Sequence, residues 1–362
     1  MPFNKIIHSI PDLYHPFLPA IFHREIPPEP FADCLNCPMI AEKEELIGAD
    51  LAKPFSPATK CCTFTPRIPN YVVGAILSDP EKSISEGKQR ILDRIKSGEG
   101  IIPNGVYPTK KYNDYHLAIA EKKFGISKSL RCPYYLNDKY NCTIWKYREA
   151  ICSLWFCKHL GGDTGADFWK SMTKYFKNIQ ESLMVYTAQE CGLFPVDLYG
   201  EGSYYKLYDN PLEQKEQYSK IWGKWERRKE QYYIRCYEIV INLSPDQAKI
   251  CFSGGKGLEK ELENKWNELV FIPDLLIANK NAIGVANGAS YQIEVNSFIK
   301  PINKTIAWSF QLPAYVIDFF DGKNSTNQIM QKLQDNFNTT LEREIIIALF
   351  RHNILKEAKS LI

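Results

Sequence analysis

The stretch CPYYLNDKYNCTIWKYREAICSLWFC, which runs from Cys132 to Cys157, carries four cysteines among tryptophans, tyrosines and one arginine. Nine residues separate Cys132 from Cys142, nine separate Cys142 from Cys152, and four separate Cys152 from Cys157. These cysteines are core side chains, disulfide partners, a catalytic nucleophile or metal ligands. Whether the N-terminal half is a metal-binding domain or an ordinary helical one depends on which of these alternatives is correct.

The overall composition is that of a globular protein. The chain has 362 residues, enough for two or three domains, and a net charge of +3. This charge is too small to attract nucleic acid or an anionic membrane strongly. No segment approaches the ~20 apolar residues of a membrane span, and the N-terminal sequence lacks the layout of a signal peptide. We therefore expect a cytoplasmic protein that binds neither nucleic acid nor a membrane.

The eleven cysteines are concentrated in the N-terminal half, and a reducing compartment disfavours disulfides between them. Eight precede residue 158, because Cys34 and Cys37 (in CLNC) and the adjacent Cys61 and Cys62 add to the central four. Clustered cysteines in such a compartment indicate metal ligands or redox groups. The remaining three, Cys191, Cys236 and Cys251, are scattered, and Cys236 is predicted to be a small core residue.

The neighbours of the central cysteines suit a metal centre. Thiolates are soft ligands for Zn²⁺, Cu(I) or iron–sulfur clusters, and cations must balance their charge. Lys146, Arg148, Lys158 and His159 are available for that balance, and the aromatic residues would exclude water. Free thiols without a joint function, or a catalytic cysteine with His116 or His159, remain alternatives. CxxC occurs once, so the pattern differs from a zinc ribbon and from the ferredoxin run.

The order CPYYL, CTIW, R-x-x-x-C and F-C resembles the YkgJ-type cysteine-cluster family, which is described as zinc- or iron-chelating. The resemblance covers about residues 34–160, although 23 residues separate Cys37 from Cys61, more than is usual in that family. The resemblance implies a zinc- or iron-chelating site. We expect a 4Fe–4S cluster there, with zinc as the alternative, and Arg148 as a charge next to the ligands. The matching positions are Cys132, Pro133, Leu136, Cys142, Ile144, Trp145, Arg148, Cys152, Phe156 and Cys157. The expected ligands are Cys132, Cys142, Cys152 and Cys157, then Cys61 and Cys62, with Cys34 and Cys37 as further candidates.

Helical periodicity dominates the chain and predicts a mostly helical α+β protein. Helices are expected over 87–98, 116–125, about 166–190, about 211–243 and 258–269, with Asp163 or Thr164 capping the third. Residues 270–310 suggest short strands and turns. We expect a cysteine-cluster domain over 1–165 with an extended N-terminal arm, an aromatic helical region over 166–269, and a small module over 270–362.

The C-terminal module resembles the winged-helix modules of the PqqD-like kind in LPAYVIDFFDG, STNQIMQKL and IIIALFRHNIL. The matching residues include Leu312, Phe319, Ile329 and Leu333. The resemblance implies that a peptide or protein substrate docks along a strand edge. Lys and Arg number six and Asp and Glu number six between 311 and 362, which disfavours DNA binding. Three classes remain open: a cluster-dependent enzyme modifying a peptide or protein, a structural or redox-sensing metal protein, and a zinc-stabilised interaction protein.

Three other segments carry ordinary interpretations. SGGKG at 253–257 lacks the spacing of a phosphate loop and is expected to be a turn before a helix. KWERRKE at 224–230 is predicted to be the solvated face of a helix. The aromatic stripe at 168–186 is predicted to pack in the core.

Overall fold

Helices make up most of the described chain, and small antiparallel sheets lie between them. The prediction of a mostly helical α+β protein is therefore confirmed at the level of fold class. The computed structural model describes residues 5–25, 40, 55–136, 141–154, 161–194, 215–252, 255–279, 281–282, 286–287, 290–299 and 304–358.

The helices before residue 271 pack around one hydrophobic core, to which residues from Ile6 to Leu269 contribute. They are α1 (Asn70–Ser78), α2 (Ser85–Ser97), α3 (Lys110–Lys123), α4 (Ala150–Leu154), α5 (Gly162–Glu190), α6 (Lys215–Trp222), α7 (Lys229–Ile241), α8 (Pro245–Cys251) and α9 (Lys256–Val270). The strands in this part are β1 (Ile68–Pro69), β2 (Ile101–Ile102), β3 (Gly105–Val106), β4 (Tyr135–Leu136) and β5 (Asn141–Cys142). β3 pairs antiparallel with β1 and β2, and β4 pairs antiparallel with β5.

Apolar side chains of residues 5–25 reach the core, so the prediction of an extended arm over the surface is wrong for them, although polar residues such as Lys5, His8 and Asp12 are exposed. The segment forms short 3₁₀ turns at Ile6–Ser9, Asp12–Phe17 and Ala20–His23. Prolines limit these turns to one or two repeats, and the apolar residues between the prolines reach the core. Ile6, Ile21 and Phe22 are fully buried there.

The YVVGAIL segment is α1, a helix that is buried on all sides and packs against α7 at Gly74. The sequence alone could not decide between a strand and a helix for this segment. In a short run of apolar residues, the spacing of apolar and polar positions carries no information. α2 ends as predicted at Gly98, whose left-handed backbone (φ 79°) closes the helix.

α5 carries the aromatic stripe, and its residues are buried as predicted, among them Phe168, Trp169, Met172 and Phe176. The predicted cap is wrong: the helix begins at Gly162 after Gly161, and no side chain caps it. Both Asp163 and Thr164 therefore lie inside its first turn. The positive end of the helix dipole stabilises the Asp163 carboxylate there.

Two other helix boundaries differ from the predictions. The helix expected over 211–243 is interrupted after Trp222 by a 3₁₀ turn at Gly223–Trp225, because Gly223 has a positive φ of 47°. KWERRKE is solvated as predicted, but most of it lies in this interruption rather than on a helix. α3 begins six residues before the predicted 116, because the Thr109 side chain accepts a hydrogen bond from the Tyr112 N–H.

The described residues after 271 form a second hydrophobic cluster, from Ile272 to Leu355. Its helices are α10 (Ala314–Asp318), α11 (Thr326–Phe337) and α12 (Arg343–Arg351). Its strands are β6 (Leu275–Ala278), β7 (Ala286–Asn287), β8 (Ser290–Ile299), β9 (Lys304–Pro313), β10 (Asp321–Ser325) and β11 (Leu355–Glu357). β6 lies between β10 and β11 in one antiparallel sheet, and β8 lies between β7 and β9 in another.

The sequence predicted the start of α11 correctly, since Ser325 caps it and Gln328 completes a capping box. The expectation of only short strands over 270–310 is wrong for β8 and β9, which pair over ten residues each. In the described part of the chain, no helix has the length and apolar character needed to cross a membrane.

Candidate metal centre

Five of the eight predicted ligands lie in one neighbourhood: Cys61, Cys62, Cys132, Cys142 and Cys152. The Cys132 N–H donates to the Cys62 carbonyl at 2.7 Å, which ties the turn at 56–64 to the central stretch. The β4–β5 hairpin then sets Cys142 opposite Tyr135. Cys152 lies on α4, where burial raises its pKa and negative charge on Glu149, Cys132, Cys142 and Cys61 raises it further.

The remaining cysteines divide into two groups. Cys34, Cys37 and Cys157 lie outside the described residues. Cys191 and Cys236 pack together in the helical core with their sulfurs 3.9 Å apart, and Cys251 lies on α8. Cys236 is fully buried, as predicted.

Burial favours the neutral form of most thiols in this neighbourhood. It raises the pKa of Cys142 to about 11 and raises the pKa values of Cys132 and Cys152 further. Cys61 is the exception, since a hydrogen bond from the Cys62 thiol lowers its pKa, with help from Lys60 and Arg148. Donating that bond in turn raises the pKa of Cys62. The adjacent pair therefore presents one sulfur on which negative charge is favoured.

Two arginines lower the pKa values of these thiols. Arg148, which the sequence predicted, favours the thiolates of Cys61 and Cys142, and its guanidinium lies 3.5 Å from the centre of the Trp145 ring. Arg90 acts in the same way on Cys132 and Cys142. Arg90 could not be predicted from the sequence, because it lies on α2 and reaches the hairpin by donating to the carbonyls of Pro133 and Tyr135.

Lys146 does not balance the thiols as the sequence suggested. Its ammonium donates to the Asp79 carboxylate at 3.0 Å and to the Glu81 carboxylate at 2.6 Å, on the side of α1. The Tyr147 hydroxyl donates to the same Asp79 carboxylate at 2.7 Å. Asp79 thus fixes the turn that leads to Arg148. The other two predicted cations, Lys158 and His159, lie outside the described residues.

Replacing Asp79 by asparagine is expected to lower the free energy of unfolding by about 1–2 kcal/mol at neutral pH, allowing for the exposure of Lys146. Burial would raise the pKa of Asp79, but the bonds from Tyr147, the Glu81 N–H and Lys146 together lower it. A lowered pKa means that the stabilisation is present above the ordinary value of 3.8 and is lost as the pH falls through the lower, folded-state pKa. Urea unfolding of both proteins at neutral and acidic pH measures this, and a pH-independent difference would contradict it.

Tyr134 contributes a hydroxyl to the same neighbourhood. Its side chain is 1% exposed, and its hydroxyl has no hydrogen-bond partner among the described residues. Burial raises its pKa, and negative charge on Cys132 or Cys142 raises it further while Arg94 lowers it, so the hydroxyl is held in its protonated form. Buried donors without an acceptor are uncommon and indicate a missing group. A metal-bound thiolate or an inorganic sulfide would accept such a bond.

The donor chemistry fits a thiophilic metal, while the described side chains do not form a closed coordination shell. Among the described residues, no three His, Cys, Asp or Glu side chains are positioned to hold a metal ion. The five thiols are close neighbours that would have to approach further around a metal or be completed by residues outside the described ranges.

Among the described residues, no contact between a cysteine and His116 supports the alternative of a catalytic cysteine. The His116 ring lies 5.7 Å from the Tyr112 ring and 6.2 Å from the Phe64 ring, and no described cysteine is hydrogen-bonded to it.

Comparison of the chain with protein-family models, curated proteins and solved structures found no match. The YkgJ-type and PqqD-like resemblances therefore stay predictions, carried by the residues quoted for them.

Proposed function

We propose that this chain binds a metal centre through its cysteine neighbourhood and that the centre is a 4Fe–4S cluster. The observation that carries the proposal is that the turn at 56–64, the β4–β5 hairpin and α4 bring five thiols into one region, where they affect one another's ionisation. Cys132 is buried there, and Cys61, Cys62, Cys142 and Cys152 are half-buried. Four of these thiols would be enough for one 4Fe–4S cluster or for one zinc ion, and their soft sulfur donors suit either. Bound there, an iron–sulfur cluster would supply one-electron chemistry.

The surrounding residues have distinct tasks in this proposal. Arg90 and Arg148 offset the negative charge of the thiolates, and the Tyr134 hydroxyl would donate to a sulfur of the bound centre. The buried aromatic side chains of Tyr134 and Tyr135 would keep water from the site. The C-terminal module would dock a peptide or protein substrate, so that the centre supports modification of that substrate. Zinc binding without turnover is the competing outcome of the test below.

Protein purified without oxygen is expected to contain about four iron and four sulfide per chain and to absorb broadly in the visible range. Cys132→Ser and Cys142→Ser should each lower the iron content several-fold, because serine is a poor ligand for a soft metal. Cys251→Ser is the matched control, since Cys251 lies on α8 and its ionisation responds to Glu190 rather than to the cluster cysteines.

Stoichiometric zinc without iron or sulfide would overturn the iron–sulfur assignment and favour the zinc alternative. Full metal content in both serine variants would show that these cysteines are not ligands. Equal loss in Cys251→Ser would point to general unfolding, and circular dichroism of each variant would identify it.

A further inference from the structure

A cavity of about 480 Å³ opens between α3, α5 and the segment that precedes α4. Its volume lies within the range of small-molecule sites. Its polar lining includes Thr65, Arg67, His116, Glu149, Lys177 and Glu181. Nothing in the sequence singled out this set, because its members come from four separate segments of the chain.

The cavity adjoins the cysteine neighbourhood. Glu149 lines the cavity and, after burial, is the next cause that raises the pKa of Cys152, which is three residues further along the chain. Tyr112, on its α3 side, has its own pKa raised by burial and by Cys132. The Tyr112 hydroxyl donates to the Thr63 carbonyl at 2.9 Å and accepts from the Thr65 N–H, so this wall is held in place.

The cavity carries equal numbers of basic and acidic groups. Burial raises the pKa of Glu149, Lys177 and Arg67 oppose that rise, and Glu181 adds to it, so the four groups are electrostatic neighbours. None of the ion pairs among the described residues joins Lys177 to Glu149 or Glu181. The Lys177 ammonium and the two carboxylates therefore face one cavity without direct neutralisation of one another.

Two further polar groups and an apolar wall complete the lining. The Thr65 hydroxyl and the Nε2 atom of His116 are buried and have no hydrogen-bond partner among the described residues. Phe64, Tyr107 and Tyr112 supply aromatic surface. Buried polar atoms of this kind are satisfied by a ligand or by water.

We propose that this cavity binds a small zwitterion of the α-amino-acid class. Its carboxylate would lie by Arg67 and Lys177, its ammonium by Glu149 and Glu181, and its apolar part against the aromatic wall. A simple anion would be repelled by the two carboxylates, and a simple cation would be repelled by the two basic groups. A neutral apolar ligand would desolvate all four charges without pairing them. The proposal concerns the cavity alone and does not depend on the metal centre.

Calorimetric titration with the protein L-α-amino acids is the first test, and at least one should bind. The tightest binder is then compared with its decarboxylated amine and with its deaminated acid. Each analogue loses one charge pair at the cavity, so each should bind at least about tenfold more weakly than the amino acid.

Two variants on α5 assign the charges. Lys177→Met should weaken binding of the amino acid about tenfold, and it should leave binding of the amine unchanged or tighter, because the amine has no carboxylate to lose and one repelling cation fewer. Glu181→Gln should weaken binding of the amino acid and leave binding of the deaminated acid unchanged or tighter, because one repelling carboxylate is removed. Lys174→Met is the matched control on the same helix, because its ammonium pairs with Glu261 at 3.1 Å outside the cavity.

Failure of every amino acid to bind would overturn the proposal. Equal binding of the amino acid, the amine and the acid would do so as well, as would an equal effect of Lys174→Met and Lys177→Met. The titrations are repeated on protein depleted of metal. Retained binding there supports a site that stands apart from the metal centre, and binding lost with the metal overturns that independence.

Discussion

Replacing Gly74 by alanine is expected to lower the free energy of unfolding by about 3 kcal/mol or more. An added Cβ at Gly74 would lie 1.9 Å from the Tyr233 carbonyl oxygen and 2.8 Å from the Tyr237 Cβ. The nearest obstacle is backbone of α7, which cannot rotate away as a side chain can. α1 would have to move off α7, and α1 is buried along nearly its whole length. The helix-propensity gain of alanine, up to about 1 kcal/mol, is too small to offset that loss.

Gly257→Ala is the matched control, because Gly257 also lies in a helix but has no atom within 4 Å of an added Cβ. It lies in the first turn of α9 and is exposed, so alanine should leave stability unchanged or raise it by up to about 1 kcal/mol. Guanidinium unfolding of both variants measures the difference. Equal effects of the two substitutions would show that α1 and α7 do not pack as closely as described.

The elements that the sequence predicted best are those whose signals are local. α2 has an apolar face and a glycine with positive φ at its end, and α11 has a complete capping box. The interruption after Trp222 was missed because a glycine can lie within a helix or adopt a positive φ that ends it. The sequence around Gly223 does not show which of the two occurs. The burial of the apolar side chains in residues 5–25 was missed. A high proline content indicates irregular backbone, but it does not show whether the side chains are buried or exposed.

In the candidate site, too, the residues with a local signal could be predicted and those that depend on long-range contacts could not. The cysteines could be grouped in advance because their type and spacing are visible in the sequence. Arg90 could not be assigned to the site in advance, because it contacts the hairpin through the Pro133 carbonyl, which is 43 residues away in the sequence. Lys146 was misjudged for a related reason, because its partner Asp79 is 67 positions away and proximity in sequence favoured the thiols. The cavity is a product of tertiary packing alone.

Removing the proposed metal centre is expected to lower the melting temperature by about 5 °C, if metal binding contributes about 4 kcal/mol. The segments that carry Cys61, Cys62, Cys132 and Cys142 have little regular structure of their own. β4 and β5 have two residues each, and the residues around them form 3₁₀ turns of three residues. Few backbone hydrogen bonds hold these turns together, so the metal–sulfur bonds would supply much of their stability. Calorimetry on the loaded protein and on chelator-treated protein, both kept anaerobic, measures the shift.

Thiol alkylation distinguishes local loosening from a change elsewhere. In the metal-free protein, Cys132 and Cys142 should react with iodoacetamide at least about tenfold faster than in the loaded protein, because metal-bound sulfurs are protected. Cys251 is the internal control, and its rate should be the same in both samples, since it lies on α8 outside the neighbourhood. Protease cleavage should likewise begin between 128 and 149 once the metal is removed. An unchanged melting temperature together with faster alkylation of Cys132 and Cys142 would mean that the metal is bound without stabilising the fold. A centre that contributes no stability but is retained in the protein would then favour the cluster-dependent enzyme over the zinc-stabilised interaction protein.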